Sequence, residues 1–299
     1  QVSHVLIDIM NEIEGKEFQI QDIRDTHFFV TAMEICRHHL FSTDLAKRVN
    51  ALLHTGENYN LIGDSYKESN YYRYYFSLLI QTEPLETFMN DTYFQLVPHV
   101  YIPEPSVMEE LLRSIEGNAA IEHIPLIWSH MICFEQITRE NLLNGIVQIM
   151  IQSKPAADKI DSTNEEFARI ALDMYTKIEE KNENRSKPIV WTGKLLGDLL
   201  RLIAKSQDID NASNILEKLL NEQHKVLGEP DFEALDDYLQ LCILKKDPTR
   251  AIQCLHYSTE INHHESINLA KKICKEFTLD ENQLKKVSFY VGSDTVNDA

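Results

Sequence analysis

Apolar residues recur at three- and four-residue spacing through nearly the whole chain. Leu195, Leu196, Leu199, Leu200 and Ile203 form one such stripe, and Leu235, Tyr238, Leu239, Cys242 and Ile243 another. Side chains three and four apart lie one above the other on an α-helix, so each stripe is the buried face of an amphipathic helix. Short polar or proline-containing breaks separate them, at residues 41–44 (FSTD), 81–84 (QTEP), 100–105 (VYIPEP), 115–118 (IEGN), 153–158 (SKPAAD), 206–210 (SQDID), 227–231 (LGEPD) and 245–248 (KKDP). The pattern predicts helices of about 12 to 16 residues, in the ordinary range for globular proteins, with a longer one near residues 164–183. The expected fold class is all-α, in the order helix, turn, helix, turn.

The breaks are not random. At an offset of 39 positions, Leu196, Asp198, Leu200, Leu202, Asp208, Ala212 and Leu216 meet Leu235, Asp237, Leu239, Leu241, Asp247, Ala251 and Leu255. Asp247 suits an N-cap, whose side chain accepts hydrogen bonds from backbone N–H groups left over at a helix start, and Pro248 suits the first helical position, where no N–H is needed. The proline therefore begins a helix. A small residue in that helix's first turn, Ala212 or Ala251, lets the preceding antiparallel helix approach, while Leu216 or Leu255 fills the seam one turn later. Looser units occur earlier, with Ala46, Val49 and Leu53, with Pro84 just inside a helix start, and with Ala120, Ile124 and Ile127. Spacings of 39 and 35 residues from Ala46 to Leu85 to Ala120 are those of stacked helical hairpins. The sequence predicts a right-handed α-solenoid of helical hairpins over residues 1–290, followed by an acidic flexible tail at 291–299. A compact α-bundle with coincidental alanines is the competing architecture.

Composition narrows the chemistry. The chain has 299 residues, with 29 Lys plus Arg against 47 Asp plus Glu, for a formal charge of −18. Most of such a surface repels polyanions, so any contact with nucleic acid must be local. The better-charged windows are residues 177–205, with seven basic residues against four acidic, and 271–286, with five against three. Five scattered cysteines with no C-x-x-C pair point to buried thiols in a reducing compartment. No apolar run reaches the roughly 18 residues needed to cross a bilayer. The chain contains no G-x-S-x-G elbow, phosphate-binding glycine loop, H-E-x-x-H helix or dinucleotide fingerprint. Neither enzymatic activity nor a cofactor is expected.

Two stretches, VYIPEPSVMEELLRSI (100–115) and VLGEPDFEALDDYLQL (226–241), resemble the link of a pentatricopeptide repeat, where a proline-containing turn leads into the next repeat's first helix. Tetratricopeptide repeats, with their tight 34-residue period and Trp-Leu-Gly-Tyr pattern, fit less well. DLAKRVNALLHTGENYNLIGD (44–64), YYRYYFSLLIQTE (71–83), LVPHVYIPEPSVMEELLRSIE (96–116), IEHIPLIWSH (121–130) and EFTLDENQLKKVS (276–288) are together similar to the C-terminal portion of the mitochondrial ribosomal branch of that family. The resemblance implies a scaffold of the small mitochondrial ribosomal subunit, in the mitochondrial matrix, close to where messenger enters and assisting its loading. It also implies small-subunit proteins, mRNA and in addition rRNA as partners, with no membrane and no homo-oligomer. A free organellar RNA-binding or RNA-processing factor, or a generic protein-interaction scaffold, are the alternatives. In RNA-reading members a polar residue of the first helix bonds one base. Here that position falls on Glu109 and Asp236, whose carboxylates donate no hydrogen bond and repel phosphate, so base-by-base reading is not expected.

The most suggestive local feature is YYRYYF (71–76). Exposed aromatics stack on unpaired bases and an arginine neutralises phosphate. On a helix Tyr72, Tyr75, Phe76 and Leu79 share the core face, which leaves Tyr71, Arg73 and Tyr74 as candidate contacts with RNA or a partner. Lys194 and Arg201 are further candidates, because a free RNA factor needs them in a continuous basic groove. The pairs His38–His39 and His263–His264, with Cys36 and Glu260 nearby in sequence, are read as solvated or capping groups, with no metal site expected.

Overall fold

The computed structural model describes residues 2–18 and 23–297. Among them the backbone is helical, with one isolated bridge between Thr192 and Leu227. The chain divides into two compact units, Gln1–Ala120 and Ile121–Ala299.

In the first unit, α1 (Val2–Ile13) packs on α2 (Phe28–Ile35) and α3 (Thr43–Leu53). A π-helical turn, Cys36–Leu40, extends α2, and Phe41 in left-handed conformation (φ 47°) ends it. The Ser42 side chain then accepts from the Leu45 N–H and starts α3. Helix α4 (Ser65–Thr82) follows, capped by Asp64, and hairpins with α5 (Leu85–Phe88), a second π-helical turn (Met89–Tyr93) and α6 (Phe94–Leu96). Helix α7 (Pro105–Gly117) lies against α4. The core here is aromatic. Phe76 meets Phe88 edge-on at 5.3 Å and Tyr101 at 4.8 Å, and Tyr72 stacks on Tyr101 at 5.7 Å. Offset and edge-to-face ring pairs of this kind add roughly 0.5–1.5 kcal/mol each beyond their buried area.

The second unit runs α8 (Ile124–Cys133), α9 (Glu140–Gln152), the long α10 (Ile160–Glu183), α11 (Gly193–Ala204), α12 (Ile209–Asn221), α13 (Phe232–Leu244), α14 (Pro248–Glu260), α15 (Ser266–Glu276), α16 (Glu281–Val291) and the short α17 (Ser293–Asn297). Consecutive helices form antiparallel hairpins, and each hairpin stacks on the next: α9 on α11, α11 on α13, α12 on α14, α14 on α16. The fold is the expected all-α array of helical hairpins. The close approach of α11 to α13 depends on two glycines. A Cβ on Gly197 would come within 2.5 Å of Pro230 Cβ, and one on Gly193 within 2.5 Å of the Gly228 carbonyl oxygen.

The seam residues behave as their spacing requires. Asp208 and Asp247 accept from the backbone N–H of Asn211 and Arg250, Pro248 occupies the first turn of α14, and Ala212 and Ala251 are fully buried. The sequence breaks coincide with the observed helix ends. The turns themselves were unexpected. Lys246, Glu135 and Asn262 adopt φ of 54°, 55° and 52° without being glycine. The residue after each donates its N–H five positions back: Asp247 to Cys242 O, Gln136 to Met131 O and His263 to Ser258 O, at 2.9 Å in all three. This is a left-handed helix terminus that usually employs glycine. Asp247 thus closes α13 with its N–H and opens α14 with its carboxylate. At residues 291–299, where a tail is expected, Val291 completes α16, Gly292 (φ 94°) breaks it, and α17 packs on α15 and α16. Positions 298 and 299 lie outside the described residues.

A left-handed residue with a Cβ costs about 1–2 kcal/mol, part of which glycine returns through its freer unfolded chain. Lys246→Gly is therefore expected to raise stability by about 0.5–1 kcal/mol, read as a higher urea midpoint at unchanged slope. Lys246→Val should lower it.

Candidate interaction surfaces

Helix α4 presents the aromatic run. Tyr72, Tyr75, Phe76 and Leu79 are buried, as the helical spacing requires. Tyr71 is not on the surface: its exposure is 0 %, its hydroxyl donates to Asn50 Oδ1 of α3 at 2.8 Å, and burial pushes its pKa well above the ordinary tyrosine value. The expectation that it contacts a partner is corrected. An inner helix of a stack touches α2 and α3 on one flank and α5 and α7 on the other, so its buried arc is wider than a single amphipathic stripe.

Arg73 and Tyr74 are half-buried and form a small surface cluster. The Arg73 guanidinium lies 4.9 Å from the Tyr74 ring centre, and its Nη2 donates to Asn70 Oδ1 at 2.8 Å. His38, in the middle of the α2 extension, meets Tyr74 edge-on at 5.4 Å. Beside it, Arg37 Nε donates to Ser77 Oγ at 2.9 Å and Ser77 Oγ donates to Glu110 Oε1 at 3.1 Å, a polar relay from α2 across α4 to α7. The Arg73 Nε is buried and has no hydrogen-bond acceptor among the described residues. Arginines held by neutral groups keep their charge available to an outside anion.

Lys194 and Arg201 are placed differently. Lys194 Nζ donates to Asp198 Oδ2 at 3.1 Å and to Asp231 Oδ2 at 2.9 Å. Arg201 Nε donates to Asp237 Oδ2 at 3.1 Å and its Nη1 is 4.0 Å from Asp198 Oδ1. Both side chains span from α11 to the α13 repeat, and neither stands in a continuous basic groove. Asp198, only 4 % exposed, is the hub. Burial pushes its carboxyl above the usual carboxylate value, against the pull of Lys194. Further pairs have the same reach along the array: Lys272 with Asp236, Lys218 with Glu179, Arg250 with Asp210. Asp236, the base-reading position by repeat count, is thereby occupied by a lysine of α15. Sequence reading missed these partners, although the recurrence of Asp198 as Asp237, with Arg201 three residues after the first, carried the signal.

Burial pushes the Cys36 and Cys242 thiols up to about 12, and Cys254 still higher, away from the thiolate form. His263 stacks between Phe232 and His264 and accepts the Glu265 N–H at its Nδ1 (3.1 Å). His256 pairs with Glu260 at 3.1 Å and stacks on Tyr290. No described helix is long and apolar enough to cross a membrane.

Because the folded carboxyl of Asp198 binds its proton more readily than the unfolded one, this group's contribution favours folding as pH falls toward 3.8 and is unfavourable above its raised folded value. Asp198→Asn should therefore be neutral or stabilising at pH 7, and the gain should vanish in acid, as measured by thermal melts across pH. Arg201→Ala, which strips a partner from a buried charge, is expected to cost about 2 kcal/mol or more. Equal destabilisation by both changes would contradict this assignment.

No protein-family profile matches the chain. Small ribosomal subunit protein mS39 of Drosophila melanogaster is 45 % identical over 97 % of this chain and 44 % of its own length. The protein of the same name from Danio rerio is 30 % identical over 93 % of this chain and 40 % of its length, and that of Xenopus laevis 27 % over 94 % and 40 %. The chain spans less than half the length of these relatives. The similarity covers residues of both units, and the chain thus resembles the stretch of mS39, which is pentatricopeptide repeat domain protein 3, that it aligns with.

Proposed function

We propose that the chain is part of a structural, non-enzymatic component of the small mitochondrial ribosomal subunit, working in the matrix as a scaffold between ribosomal proteins and incoming messenger. The observation that carries this reading is the 45 % identity over 97 % of the chain to a protein named for the small ribosomal subunit. The structure supports it in kind, because what the two units offer is shape and surface, with thiols and tyrosines withdrawn from chemistry by burial. The acidic charge of −18 fits neighbours with basic surfaces, as ribosomal proteins bound to RNA commonly have.

A nucleic-acid strand has one small foothold in this reading, at Arg73 and Tyr74 with Arg37 and His38 beside them. It would take a phosphate and a stacked base without reading sequence, since Asp236 is spent on Lys272. The rival reading, a free RNA-processing factor, needs Lys194 and Arg201 free, and both are bound to aspartates.

Gradient sedimentation of the tagged full-length protein from mitochondrial lysate tests the assignment: co-migration with the small subunit is expected, and a free pool alone would end it. In the same material Arg73→Gln with Tyr74→Leu should leave co-migration intact and reduce ultraviolet RNA cross-links to this region roughly fivefold or more. Undiminished cross-linking would remove that cluster from the proposal.

A further inference from the structure

Within the second unit, the connection from α10 to α11, residues 184–192 (NRSKPIVWT), carries two cations and no acid in a chain where acids outnumber bases. It is not a loose loop. Ile189 donates its N–H to Asn182 Oδ1 at 2.7 Å and accepts from Asn182 Nδ2 at 3.1 Å. The Trp191 indole N–H donates to Glu179 Oε1 at 2.6 Å, and the other oxygen of that carboxylate accepts from Lys218 at 3.1 Å. Leu227 donates its N–H to Trp191 O at 2.9 Å and accepts from Gly193 N–H at 2.8 Å, which ties the segment to the turn before α13.

On this fixed backbone two large aliphatic side chains face outward, Val190 at 54 % exposure and Leu227 at 64 %. Both line one groove of about 320 Å³, together with Arg185, Lys187 and Pro188 and with Glu140 as the one acid. Arg185 and Lys187 are exposed and form no ion pair among the described residues, whereas the cations at the repeat seams (Lys194, Arg201, Lys218, Arg250, Lys272) are all paired. Uncommitted positive charge beside exposed aliphatic surface on an ordered backbone is what a short acidic, apolar peptide needs, and little ordering entropy is lost on the receiving side.

Charge alone would suit RNA equally well, but the aromatic surface does not. The one indole in the groove is 4 % exposed, with its N–H committed to Glu179 and its ring against Tyr175 at 5.5 Å. Bases stack on exposed aromatic faces, and the faces offered here are a valine and a leucine. We propose that the groove beside Arg185, Lys187, Val190 and Leu227 docks a segment of a partner protein in which an apolar anchor side chain is flanked by Asp or Glu. This does not depend on which assembly the protein serves.

The test places the photo-cross-linker p-benzoylphenylalanine at position 190 of the full-length protein in its own cells. After irradiation, the adducts are digested with nuclease or protease and mapped by mass spectrometry. The expected product is a protease-sensitive adduct at one segment bearing Asp or Glu next to an apolar residue. A synthetic peptide of that segment should bind the purified protein, and Arg185→Glu with Lys187→Glu should weaken binding at least about tenfold, equivalent to roughly 1.4 kcal/mol. Since both cations are exposed, melting temperature should not move. Arg185→Ala with Lys187→Ala provides a milder version if the reversal perturbs folding. A nuclease-sensitive adduct, no adduct, a segment without acids, or binding indifferent to these charges would each overturn the proposal.

Discussion

The contact on which both units depend is that of a helix with its counterpart one repeat along. Nearly every long-range polar contact described above joins residues about 33 to 41 positions apart, the length of one hairpin: Ser77 to Glu110, Arg201 to Asp237, Lys218 to Glu179, Arg250 to Asp210. The register of such a stack is set where side chains are smallest. Gly193 and Gly197 leave no room for a Cβ, and Ala212 and Ala251 have no exposure at all. Once small residues fix how near two helices come, the leucines beside them have one depth to fill and the charged pairs one distance to span. Stability in such an array is a sum over neighbouring repeats, so each seam has to hold by itself.

Charge at the seams explains how so acidic a chain stacks on itself. Aspartates of one repeat would repel those of the next, and the lysines and arginines placed between them turn that repulsion into register. The arrangement also consumes cations. Of the positive groups outside those seams, Arg37 and Arg73 in the first unit stand beside aromatic rings, and Arg185 and Lys187 in the second beside exposed aliphatic side chains.

Much of this was legible in the sequence where a residue's role is local. Asp247 and Pro248 declare a helix start by themselves, because capping and the missing proline N–H act within one turn. The alanine and leucine seams follow from spacing alone. What sequence spacing hides is breadth and distance. Tyr71 falls on the outer side of a helical wheel and is nevertheless buried, since α4 has neighbours on both flanks. Arg201 looks like a free cation because Asp237 lies a full repeat away, and Lys194 reaches Asp231 over a similar separation in addition to Asp198 one turn on. The left-handed turns at Lys246, Glu135 and Asn262 escaped notice for a third reason: the usual marker, glycine, is absent at all three.

Glu179 and Asp173 give the second unit a built-in optical signature. The chain has two tryptophans, Trp128 and Trp191, and each donates its indole N–H to a carboxylate of the same helix, α10. The first unit has none, and its ring population is phenol and phenyl. Selective excitation of indole therefore watches how firmly α10 is seated and is blind to residues 1–120, whereas absorbance and ellipticity from tyrosine are weighted toward that part. One sample in a single cuvette thus carries separate colours for the two halves of the polypeptide.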